Sequence, residues 1–205
     1  MKFSIIICTH NPNSYLLGRL LNAINYFDSQ SPPYEVIIVD NNSASSLSNN
    51  NEVSLFLESN KTASIIFEKK PGLTSARTAG INASKYDWIV FFDDDNEPHE
   101  SYLVACSDLV KKYPQVGVWG PGKISVEFNC KPNDWLLSNK YIFQDKNEDE
   151  LRYDNKPEWQ ECYPYGTGML VKREIALTYV ERIREGRYTL SDRNGKSLSS
   201  GGDVQ

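Results

Sequence analysis

Four short runs, "FSIIIC" (Phe3–Cys8), "YEVIIVD" (Tyr34–Asp40), "ASIIFEK" (Ala63–Lys69) and "DWIVFF" (Asp87–Phe92), recur at helix-sized intervals. Their apolar residues are continuous rather than alternating, so each run is expected to be buried on both faces. In a water-soluble domain that arrangement means a mostly parallel sheet between two helical layers. The intervening segments fit. "SYLLGRLLNAINYF" sets Leu16, Leu17, Leu20, Leu21 and Ile24 on one helical face, with Ser14 as its N-cap. "GLTSARTAGINAS" is a small-residue helix, and a third helix is expected from about His99 to Tyr113, buried through Leu103, Val104, Leu109 and Val110. The polar "NNSASSLSNNN" is read as a loop. The expected fold class is α/β: a central, mostly parallel sheet with helices on both faces.

A chain of 205 residues suffices for one such domain. Its net charge of −5 and lack of a long basic run speak against a nucleic-acid groove or a polybasic membrane patch. The opening "MKFSIIICTH" is too short in apolar residues for a secretory leader, and no run approaches the ~20 residues of a membrane helix. A cytoplasmic location is expected, peripheral at the inner face of a membrane at most. Cys8, Cys106, Cys130 and Cys162 share no metal-ligand spacing, and Cys8 and Cys106 are read as reduced core residues. After Trp119 the pattern loosens into irregular structure, and the acidic stretch from Asp145 to Asp154 is read as a solvated face. "YGTGMLVKRE" is a glycine-hinged strand leading into a helix from Glu174 to about Arg184, and Asn194-Gly195 signals a hairpin turn.

The chemistry concentrates in "FFDDDNEP", where Asp93, Asp94 and Asp95 follow an apolar strand. On an extended backbone Asp93 and Asp95 share a face and repel by about 2–3 kcal/mol at an effective dielectric of ~20. A bound cation would reverse that sign. The cluster lies where open parallel sheets bind ligands, outside the carboxyl ends of the strands. Asp40 ends the second run, placed either to accept from a nucleotide's base or ribose or to cap the following turn. "CTHNPN" lacks the glycine fingerprint of a dinucleotide site, which disfavours a dehydrogenase. Pro71-Gly72 opens a helix whose first amides suit an anion, with Arg77 one turn in. His99 is read as a helix start rather than a ligand, and Trp119, Trp135 and Trp159 as packing residues, with stacking on a sugar as the alternative.

Taken in order, "SIIICTHNP", "EVIIVDNNS", "PGLTSARTAGI" and "WIVFFDDDNEP" resemble family 2 of the nucleotide-sugar glycosyltransferases. The likeness continues through "GTGMLVKRE" to "DRNGKSLSSGGD" and so covers nearly the whole chain. It implies an A-type glycosyltransferase fold in a single domain over 1–205, with a nucleotide-sugar-binding half (1–120) and an acceptor-side half (121–205). It also implies an inverting, metal-dependent transfer from a nucleotide-diphosphate sugar, UDP-linked in most relatives, to a hydroxyl of a saccharide or lipid-linked acceptor. Polysaccharide or glycan biosynthesis is the implied setting. Carried over residue by residue, Thr9, His10 and Pro12 would line the nucleoside pocket, Asp40 would hold the base, and Arg77 would sit near the diphosphate. Asp94 would lie near the ribose, Asp95 with Asp93 would hold Mg²⁺ or Mn²⁺, and Asp203 would be the general base. Gly202 stands where many relatives have an acid, and the ending two residues after Asp203 is compatible with C-terminal truncation. No Gln-x-x-Arg-Trp element is present, so a non-processive enzyme is expected. The alternatives are a donor-binding domain without turnover and, less in keeping with the motif's place after the fourth strand, phosphoryl or nucleotidyl transfer.

Overall fold

The computed structural model describes residues 1–187, so the Asn194-Gly195 turn signal and Asp203 lie outside the described residues. The first half alternates strand and helix: β1 (Phe3–Thr9), α1 (Ser14–Asn25), β2 (Tyr34–Asp40), α2 (Asn51–Ser59), β3 (Ala63–Phe67), α3 (Leu73–Ala83), β4 (Trp88–Asp93) and α4 (Tyr102–Lys112). Shorter elements follow, β5 (Val118–Trp119), β6 (Lys123–Ile124), α5 (Asp134–Ser138), β7 (Lys146–Asn147) and β8 (Met169–Lys172), before the long α6 (Arg173–Arg184). Among the described residues six strands form one sheet in the order β3-β2-β1-β4-β8-β5, and β6 pairs with β7 apart from it. β1 runs parallel to β2 and β4, and β2 parallel to β3, whereas β8 is antiparallel to both its neighbours. The expected α/β architecture is the one observed.

Burial on both faces explains the apolar runs of β1, β2 and β4, whereas β3, at the edge of the sheet, is only partly covered and leaves Phe67 exposed. Ile5, Ile7, Val36, Ile38, Val90 and Phe92 pack with Leu17, Leu20 and Ile24 of α1, Val53 and Phe56 of α2 and Leu103 of α4. On the opposite face Ile6, Ile37, Val39, Ile89 and Phe91 meet Ala76 and Ile81 of α3 and Ala176 and Val180 of α6. Alternate residues of each strand thus serve different helical layers.

Several boundaries move from their sequence expectations. Asn13, not Ser14, caps α1: its side chain accepts from the amides of Tyr15 and Leu16. Leu16 lies at the edge of the buried stripe rather than in it. α4 begins at Tyr102, because the carbonyl of His99 accepts from the Tyr102 amide in a preceding turn and the His99 ring engages Ser101. The polar stretch after β2 is not one loop throughout. Asn50 caps α2 by accepting from Glu52 and Val53, so helix starts at Asn51. The cysteines are unpaired: Cys106 is buried, as expected, and burial pushes its thiol up to about 12.

Close approach of α3 to the sheet depends on one glycine. A Cβ on Gly80 would stand 2.5 Å from Ile6 Cγ2 and 3.3 Å from Val39 Cγ2, both on strands that cannot give way. Overpacking of a well-filled site costs about 1–3 kcal/mol. Gly80→Val is therefore expected to lower the thermal midpoint by several degrees, as read by circular dichroism, whereas an unchanged midpoint would mean that α3 rides clear of the sheet.

Candidate active site

Parallel register brings the polar strand ends side by side. Thr9 pairs with Asp40 across β1 and β2, and Cys8 pairs with Asp93 across β1 and β4. One step further along β1, Thr9 therefore faces Asp94, and its hydroxyl donates to Asp94 Oδ2. Strand geometry stops at Asp93, however. The Asn96 amide donates to the Asp93 carbonyl at 3.1 Å, and Asn96 Oδ1 accepts from the Asp93 amide at 2.9 Å. This turn cancels the expected alternation of the three carboxylates. Asp93 is half-buried and accepts from Thr167 Oγ1 at 2.9 Å, Asp94 is half-buried against Thr9, and Asp95 is exposed, with Asn96 Nδ2 3.2 Å from its Oδ1.

Burial first, and then the charges of Asp95 and Asp93, push the Asp94 carboxyl above the usual carboxylate range, against the opposing bond from Thr9. A folded-state pKa above the unfolded one favours the protonated form, so stability is present at acid pH and is lost as pH rises through the folded value. Asp94→Asn keeps an acceptor for Thr9 and removes the charge. It is expected to raise the thermal midpoint at pH 7, with the gain vanishing near pH 3. A gain of equal size at both pH values would deny that ionisation is the cause.

The neighbouring loops are tied together by short polar bonds. Asp40 is almost fully buried, and its two carboxylate oxygens accept from the amides of Ser43 (3.0 Å) and Leu47 (3.1 Å), as a turn-capping Asp does. His10 is exposed, with Nδ1 2.8 Å from the Asn41 carbonyl and Nε2 2.8 Å from Asn11 Nδ2. A carbonyl only accepts, and Asn11 Oδ1 is already taken by the Ala44 amide at 2.8 Å. The ring therefore donates through Nδ1 and accepts at Nε2. Asn11 (φ 51°) and Asn42 (φ 60°) both adopt left-handed backbone, which Asn tolerates better than most residues. Pro12 lies half-buried in the same loop. Arg77 is 5% exposed and lies over the Phe91 ring, 5.5 Å from its centroid. Cys8 lies among these charges. Burial pushes its thiol up to about 12, Arg77 opposes the shift, and Asp93 and Asp94 add to it, so the group stays a neutral thiol rather than a nucleophile.

Three positioning residues escape a reading by motif. Asn41 donates through Nδ2 to the carbonyls of Glu68 (3.2 Å) and Lys70 (2.7 Å) and accepts from the Gly72 amide (2.8 Å), joining the end of β2 to the start of α3. Thr167 holds Asp93, and the Tyr102 hydroxyl donates to the Gly168 carbonyl next to it. Gly168 has φ +65°, and a Cβ there would lie 2.9 Å from the Tyr102 oxygen. The glycine of "GTG" is the one sequence signal that could have pointed to this clamp.

A divalent ion is compatible with these residues in a limited sense. Among the described residues no three acidic, imidazole or thiol groups converge as a complete cage. An exposed Asp95 beside a half-buried Asp93 matches a site in which one or two carboxylates bind and the remaining ligands come from substrate phosphates and water. A cavity of about 1300 Å³ lies nearby, and its described lining does not include the three aspartates. It begins at Phe91, two residues before Asp93 on β4, and extends past Met169 towards the segment 146–164.

The sequence model described as "Glycosyl transferase family 2" matches residues 4–179. No curated protein matches the chain. Among solved structures, S. aureus TarS 1-349 superposes with a TM-score of 0.65 at 15% identity, over 99% of this chain and 53% of that one. TarS 1-349 in complex with UDP-GlcNAc gives 0.60 at 16% identity, over 87% and 47%. The mannosyltransferase PcManGT from Pyrobaculum calidifontis, in complex with GDP-Man and Mn²⁺, gives 0.61 at 19% identity, over 86% and 46%. This chain thus spans about half the length of those structures, and at such identities the likeness is one of fold.

Proposed function

Because the chain belongs to glycosyl transferase family 2, we propose that it transfers a sugar from a nucleotide-diphosphate donor to a hydroxyl, with inversion and with help from Mg²⁺ or Mn²⁺. The observation that carries this reading is the alignment of Thr9, Asp40 and Asp93 to Asp95 along the carboxyl edge of β1, β2 and β4. The similar structures holding UDP-GlcNAc, or GDP-Man with Mn²⁺, support the donor class. A UDP-sugar is the first donor to try.

Thr9 and the loop through His10 and Pro12 form the nucleoside wall, with Asp40 shaping the facing loop so that it meets the base. Asp94 lies nearest the ribose. Asp95, assisted by Asp93, would hold the cation, which neutralises charge growing on the departing diphosphate. Arg77, buried on α3, would add positive charge on the same side. Inversion needs one in-line displacement, so a single base must take the proton of the acceptor hydroxyl on the face opposite the leaving group. Asp203 is proposed for that task. Residues 1–120 then serve the donor and 121–205 the acceptor. No helix among the described residues is long and apolar enough to cross a membrane.

Incubation with UDP-GlcNAc, UDP-glucose, UDP-galactose and GDP-mannose, with Mn²⁺ or with a chelator, tests the reading through release of the nucleoside diphosphate. Release from one donor that stops on chelation is expected. Release indifferent to chelation would remove the metal, and neither release nor binding of any donor would remove the function.

A further inference from the structure

We propose that the 1300 Å³ cavity bounded by β5, β8, α6 and the segment 146–164 binds an uncharged oligosaccharide, as the acceptor of the transfer inferred above. Its size is the first argument. Small-molecule sites enclose roughly 300–1,000 Å³. The cavity exceeds that range and suits a chain of several sugar rings better than a single one.

Chemistry of the wall is the second. Trp159 and Tyr163 line the cavity, with Tyr153 beside them. Trp159 is 48% exposed, whereas Trp119, which lines the same cavity, is 7% exposed and packs against Tyr113. Packing is thus observed for Trp119, while Trp159 keeps about half of its surface bare. Its indole is not loose. Tyr163 abuts it edge-on at 6.0 Å between centroids (89°), and Tyr165 leans on it at 6.1 Å (44°). A fixed, half-bare indole beside tyrosine hydroxyls presents an apolar face and polar rims, which is the complement of a pyranose.

The charge pattern selects among saccharides. Four carboxylates (Glu148, Asp149, Glu150, Asp154) line the cavity against three cations (Arg77, Lys146, Arg152). Arg152 is paired with Glu148 at 3.2 Å. Asp149 and Asp154 are bridged to Lys123 (2.8 Å) and Lys156 (3.2 Å), and Asp149, Glu150 and Arg152 are exposed, so the acidic stretch is the solvated face expected of it and borders the cavity. Among the described lining residues the surplus of charge is negative, which disfavours a phosphate, sulfate or uronate. The cavity starts two residues from Asp93 on β4 and passes Met169, next but one to the Thr167 that holds Asp93. A sugar hydroxyl at that end would meet the donor.

A glycan array carrying neutral, sulfated, phosphorylated and uronic oligosaccharides tests the proposal, with the intact chain, Trp159→Ala, Trp159→Tyr and Tyr153→Ala. The expected hits are uncharged oligosaccharides, weakened about tenfold or more by Trp159→Ala and largely restored by Trp159→Tyr. UDP and GDP binding with Mn²⁺, measured on the same samples, should be unchanged in all variants, which also shows that they fold. Tyr153 is 73% exposed, so its loss acts on binding without burdening the fold. Preferential retention of anionic glycans, equal retention by Trp159→Ala, equal binding of monosaccharides, or no glycan retained while the nucleotide still binds would each overturn the proposal. If nucleotide binding is also absent, the transfer reading fails with it.

Discussion

Replacing Asp95 with alanine is expected to lower release of the nucleoside diphosphate from the donor about a thousandfold and to abolish its response to Mn²⁺. A divalent ion at a departing diphosphate supplies several kcal/mol of transition-state stabilisation, and about 1.4 kcal/mol corresponds to tenfold in rate. Asp95 is the exposed member of its cluster and is bonded to the neutral amide of Asn96. Its removal should therefore leave the thermal midpoint unchanged, which separates loss of the ion from loss of the fold. Asp95→Asn should behave similarly, since a neutral amide oxygen is a weak ligand for a hard cation. Turnover that survives either change at near-parental rates would exclude Asp95 from metal binding.

The second large effect is expected at Asp203. A general base contributes about 10²- to 10⁴-fold, and Asp203→Asn should reduce transfer by that order without altering the affinity for donor or metal. The two substitutions act on different quantities: Asp95→Ala weakens binding of the metal–donor pair, and Asp203→Asn weakens only the chemical step. If Asp203→Asn weakened donor binding as strongly as turnover, the residue would belong to the donor site and not to proton transfer.

How much of this was legible in the chain differs from element to element. The parallel sheet was, because Ile5 to Ile7, Val36 to Val39 and Ile89 to Phe92 are apolar on both faces, and burial on both sides admits few other folds. The clustering of Thr9, Asp40 and Asp93 was legible too, since each ends one of three such runs. The aim of the carboxylates was not. The alternation expected of Asp93, Asp94 and Asp95 is undone by Asn96, whose side chain returns to the Asp93 amide and closes a turn. Asn41 was invisible for a related reason: its partners are backbone groups of Glu68, Lys70 and Gly72, about 30 residues away, which no local pattern encodes. α2 was hidden by its setting, because the Asn50 cap and the Val53–Phe56 stripe follow a run so polar that it masks them. Trp119 and Trp159 look alike in sequence and both line the cavity, and only the burial of the first on the edge strand of the sheet tells them apart.

Titration calorimetry of the intact chain with UDP and with GDP, each with and without Mn²⁺, reads most directly whether the aspartate cluster grips a cation that bridges a diphosphate. The account predicts that one nucleotide binds, that Mn²⁺ tightens it by tenfold or more, and that the gain disappears in Asp95→Ala. Affinity that is the same with and without the ion, and the same in the variant, would contradict it.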